Sequence, residues 1–87
     1  MKFVKKPVVI EATQWFKFGD HHAVKKRMLG NVLDDSENGW IETLEGGHIV
    51  APGDWIITGV MGEHYPCKDE IFKMTYDMVD HVLQETK

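Results

Sequence analysis

Between Gly46 and Gly62 the chain reads GGHIVAPGDWIITGVMG, and five of its eight glycines stand in that run. Glycine and proline at this spacing leave segments too short for a helix and long enough for strands. Upstream, Trp40, Glu42 and Leu44 alternate against Ile41, Thr43 and Glu45, so 40–45 is predicted as a strand. Gly46-Gly47 suits a two-residue hairpin turn because glycine accepts positive φ, and HIVAP returns as the next strand. Pro52-Gly53-Asp54 follows as a type II turn, with proline pre-setting φ and glycine at the third position. Trp55-Ile56-Ile57-Thr58 is the strongest strand of the chain. Gly59 and Gly62 frame another turn, and Glu63 to Lys68 reads as a short strand that Pro66 confines to an edge.

The flanks are less punctuated. Val8 to Trp15 (VVIEATQW) is predicted as a strand with Pro7 before it. After the Phe18-Gly19-Asp20 break, Asp20 is placed to cap a short helix from His21 through Leu29, stopped by Gly30-Asn31. Residues 34–39 form a polar loop. Asp69 is placed to cap a second helix from Glu70, where Ile71, Met74, Met78 and Val82 run beside Phe72, Tyr76, Val79 and Leu83 as one apolar stripe. A strand at 75–79 is the alternative there. The fold class expected is α+β: one domain over residues 1–87, with a small antiparallel sheet or partial barrel of four to five strands and one or two helices.

Ten basic residues against fourteen acidic give a net charge of −4. A general nucleic-acid binder needs a concentrated basic face, so direct nucleic-acid binding is not expected. A lone cysteine excludes an intrachain disulfide. No stretch reaches the roughly 18 apolar residues of a membrane span, and no cleavage site follows the basic start, so a cytoplasmic protein is expected. A chain this short buries only ~60–65% of its unfolded surface, so a partner or a homo-dimer would add stability.

The run WIETLEGGHIVAPGDWIITGVMGEHYPCKDEIFKMTY, with Lys5 to Trp15 before it, resembles a family of small orphan proteins of tailed bacteriophages and prophages. The matching residues are Glu45-Gly46, Pro52 to Ile57, Gly59, Gly62-Glu63, Tyr65 to Lys68, Ile71-Phe72 and Thr75-Tyr76. The chain departs from the family pattern at Asp69, where proline is usual, and at His64, where an aromatic is usual. Residues 17–39 match nothing in the pattern. The resemblance implies a phage or prophage accessory gene whose product acts in the host cell, and it implies no activity.

Cys67 and His64 are the sharpest catalytic pairing, but positions 64 and 67 have opposite parity on a strand and should face apart. The five histidines lack the paired spacings of a closed zinc site, and His21 and His22 are expected to point different ways. No metal, cofactor or catalytic residue is therefore expected. A non-catalytic protein that binds and inhibits or redirects a host or defence protein is the first expectation, with Met61, Glu63 and His64 as partner-facing residues. A nucleotide-sequestering pocket of Trp15, Trp55, His64, Tyr65 and Lys68 is the second, since bases stack on aromatics with cation support. A virion structural or assembly role is a further alternative.

Overall fold

The computed structural model describes residues 1–4 and 6–78, which form seven short strands and one helix. They are β1 (Glu11–Gln14), β2 (Met28–Leu29), β3 (Val32–Leu33), β4 (Gly39–Thr43), β5 (Gly46–Val50), β6 (Trp55–Thr58), β7 (His64–Cys67) and α1 (Asp69–Thr75). All strand pairing is antiparallel: a three-stranded sheet in the order β1-β6-β7, and two hairpins, β2-β3 and β4-β5. The α+β class holds, with more and shorter strands than expected, and the sheets do not close into a barrel. Among the described residues no helix is long and apolar enough to cross a membrane.

β6 is central because its apolar run needs cover on both faces. Ile56 and Ile57, which point to opposite faces, are both buried. On the Ile56 side the core gathers Trp15, Val24, Ile41 and Val50, with Phe18 edge-on to Trp15 at 5.3 Å. Burying side chains of this size stabilises the fold by about 1.5–3 kcal/mol each. Gly39 permits the packing: a Cβ there would overlap Val24 and come within 3.2 Å of the Trp15 ring.

The Pro-Gly-Asp turn ties β1 to this centre. Gly53 has φ +99°, as the type II turn requires. The Gly53 N–H donates to the Trp15 carbonyl and the Trp15 N–H donates to the Asp54 carbonyl, each at 2.7 Å. The buried Asp54 carboxylate accepts from the Ala51 N–H at 2.9 Å and from Lys68 Nζ at 3.3 Å.

Four local expectations are corrected. Residues 21–29 are not helical. The Asp20 carboxylate turns back to accept from the Phe16 and Lys17 N–H groups at 2.9 and 3.2 Å, so it caps nothing ahead of it. Lys25 exchanges backbone hydrogen bonds with Trp40 at 2.9 and 2.7 Å, and the chain runs on into the β2-β3 hairpin, with Gly30-Asn31 as its turn. An isolated nine-residue helix is too short to persist, and the extended course delivers Val24 to the core. The β4-β5 turn falls on Leu44-Glu45, two residues earlier than expected, because Thr43 pairs with Gly46 and only Gly46 of the glycine pair carries a positive φ. Gly47 lies inside β5, where the Trp40 indole covers it and leaves no room for a side chain. Asp69 is the first residue of α1 instead of its cap, and its carboxylate binds side chains. The helix stops at Tyr76, whose backbone is extended; the parts of the C-terminal expectation on residues 79–87 lie outside the described residues.

Candidate functional site

β7 carries most of the candidate residues. Its register sets His64 opposite Thr58 and Cys67 opposite Trp55. His64 Nδ1 shares a hydrogen bond of 3.0 Å with the Thr58 hydroxyl, while Cys67 Sγ lies 3.6 Å from the Lys68 carbonyl. The pair therefore forms no dyad, as strand parity requires. Burial, and then the Asp54 carboxylate, push the Cys67 thiol pKa upward, the reverse of what activates a nucleophile.

What β7 does assemble is imidazole. His21 and His22 stack with ring centroids 4.7 Å apart, and His64 meets them edge-on at 5.0 and 5.3 Å. The expectation that His21 and His22 diverge is thus corrected, because the segment that carries them is a turn and not a helix. His21 Nδ1 accepts the Ala23 N–H at 3.0 Å, so the neutral ring carries its proton on Nε2. Burial, and then the neighbouring His22 and His64, hold the His21 pKa below its ordinary value. No sequence signal announces this cluster, since 41 residues separate His22 from His64 and only folding joins them. Among the described residues, no three His, Cys, Asp or Glu side chains converge as ligands for a metal ion.

Beside the cluster, a cavity of about 410 Å³ is lined by Leu44, Glu45, His48, Glu63, His64 and Tyr65 among others. Four of the five histidines therefore sit in or next to one end of the molecule. Glu63 is partly committed, for its carboxylate accepts the Met61 N–H at 3.0 Å and closes the β6-β7 turn. Burial, and then a hydrogen bond with Tyr76, raise the Tyr65 pKa, so its phenol stays protonated at neutral pH.

The five ligand candidates do not share this cavity. Trp15 is wholly buried in the core, with its indole N–H unpaired, and offers no face to a ligand. Trp55 is stacked on Phe72 at 4.1 Å and 7°, and its indole N–H donates to Asp69 at 2.9 Å. Lys68 is held by Asp54. Only His64 and Tyr65 reach the cavity. Of the partner-facing residues, Met61 stands exposed at the tip of the β6-β7 turn beside Val60, with Glu63 and His64 below it.

One surface lay outside the sequence reading. Met28, Leu29, Val32 and Leu33, every strand residue of the β2-β3 hairpin, are about half exposed or more. Arg27 stacks on Trp40 at 4.6 Å at the base of this ribbon. Comparison with protein-family models, with curated proteins and with solved structures finds no match to the chain.

Proposed function

We propose that this chain is a non-catalytic binding protein of the phage accessory kind that its sequence resembles, and that it inhibits or redirects a host or defence protein. The observation that supports this most is the β2-β3 hairpin. A two-stranded ribbon is marginal in water, and this one leaves four apolar side chains uncovered. Methionine at such a site adapts its shape to a partner surface. Val60 and Met61 add a second exposed apolar tip.

The test is affinity capture of the tagged chain from phage-infected cells, read by native mass spectrometry, beside the Leu29→Lys/Val32→Glu variant. A partner in fixed stoichiometry that the variant loses supports the reading. Leu29 and Val32 face each other across the hairpin, so the paired opposite charges remove the apolar surface while keeping the ribbon closed, and circular dichroism of the variant should match the wild type. A partner retained by the variant would remove the hairpin from the interface.

A small-ligand site is the second reading, and the cavity beside the histidines favours it. Glu45 and Glu63 on its wall oppose the phosphates of a nucleotide. A nucleotide panel that leaves the melting temperature unmoved would set that version aside.

A further inference from the structure

The N-terminal segment is half a strand short of a partner. PVVIEATQ has the β-forming character of one continuous strand, yet only Glu11–Gln14 pair with β6, because β6 ends at Thr58 and the chain turns at Gly59. Val8 and Val9 are 50% and 75% exposed. Among the described residues, no backbone hydrogen bond involves residues 6–10. β1 is also an edge of its sheet. The 15.5 Å radius of gyration exceeds the roughly 12 Å of a compact chain this long.

We propose that two copies of this chain associate through residues 6–14, paired antiparallel about a twofold axis into one six-stranded sheet. Hydrogen-bond alternation selects the register. The Trp15 N–H points to β6, so the amides of Glu11 and Thr13 do too, and those of Ala12 and Gln14 point outward. Continued back, Val8 and Ile10 also present outward N–H and C=O groups. Even residues must then face even residues across the new interface. Pairing Ile10 with the partner copy's Ile10 sets Val8 against the partner copy's Ala12. Pro7 then falls where no N–H is required, the place an edge strand tolerates proline. Pairing centred on Glu11 would instead set two carboxylates face to face.

The occupant fits in shape and in charge. Val8 of the partner subunit would lie beside Ala12 at the rim of a groove of about 600 Å³ that each copy's own Val8 and Ile10 line together with Trp55, Phe72 and Tyr76. Lys6 would lie opposite Gln14, whose amide contacts the Asp69 carboxylate at 3.4 Å. Three of the ten basic residues stand in the first ten positions with no acid among them, and all fourteen acids lie beyond. The arm of one copy and the body of another are thus complementary.

Sedimentation velocity on the purified full chain tests this without any host protein, so its outcome is separate from that of the capture experiment. At about 100 µM the chain should sediment as a dimer and dissociate on dilution. Val8→Pro removes one outward N–H that nothing in the protomer uses; it should weaken association at least about tenfold, equal to 1.4 kcal/mol, while the circular dichroism stays unchanged. Ile10→Glu keeps the backbone donor and places two carboxylates at the axis, and it should do the same. A chain that is monomeric at this concentration, or a dimer that both variants leave intact, would overturn the proposal; a monomer would leave this edge to a different protein.

Discussion

At the scale of single residues, buried polar contacts decide more than the apolar count does. Asp54 is buried, yet its carboxylate accepts from Ala51 and Lys68 and its main-chain carbonyl from Trp15, so one residue ties the turn to the ends of β1 and β7. His21 carries a testable pH dependence. Its depressed pKa means that the unfolded chain takes up the proton first as the solution is acidified. The stability it contributes is therefore complete above its ordinary value of 6.5 and is lost as pH falls through the lower folded value. The groups facing it are His22 and His64, with the Ala23 N–H on Nδ1. Thermal melts between pH 7.5 and 5 should show the wild type losing more stability than His21→Asn, whose amide oxygen can still accept the Ala23 N–H. Parallel losses in the two proteins would mean that the cluster does not couple to folding. Carboxylates with lowered pKa values, Asp20 and Asp69 among them, act only below their ordinary 3.8 and leave this window clear.

At the scale of elements, each short piece is held by one or two contacts. α1 has seven residues and buries none of them fully, so it cannot stand by propensity. What docks it is the stack of Phe72 on Trp55, with Asp69 accepting from the Trp55 and Gln14 side chains. Phe72→Ala should cost about 1–2 kcal/mol, the stacking term plus part of the ring's burial, and should shift Trp fluorescence to the red. An unchanged emission maximum would show that the helix is attached in some other way. The same scale explains the misplaced β4-β5 turn. Gly46-Gly47 is a strong turn signal by composition, but the indole of Trp40 needs the bare backbone of Gly47, and that need moves the turn forward by two residues.

At the scale of the whole molecule, six hydrophobic residues are buried among the described residues while seventeen large ones stay exposed. Phe3, Val4, Val9, Val60, Met61 and the β2-β3 hairpin stay in solvent. The chain's −4 charge favours a basic surface on the other side. Affinity for a captured host protein should therefore fall as salt rises from about 0.05 to about 0.5 M, where the screening length contracts below 10 Å. An affinity indifferent to salt would point to apolar contacts alone.

The strands at Trp55–Thr58 and His64–Cys67, the Pro-Gly-Asp turn and the separation of Cys67 from His64 were legible in the sequence because each depends on neighbours along the chain. Glycine at a positive φ, proline at an edge and the two-residue alternation of a strand are local facts. The turn at 21–22, the β2-β3 hairpin, the burial of Trp15 and the meeting of His21, His22 and His64 were not legible. The Asp20 carboxylate takes the Phe16 and Lys17 amides behind it, and Val24 in the core and Lys25 paired with Trp40 hold the following segment away from a helix. Local chemistry determined where this chain turns; tertiary packing alone decided which side chains those turns bring together, because contacts between residues dozens of positions apart exist only once the core has closed.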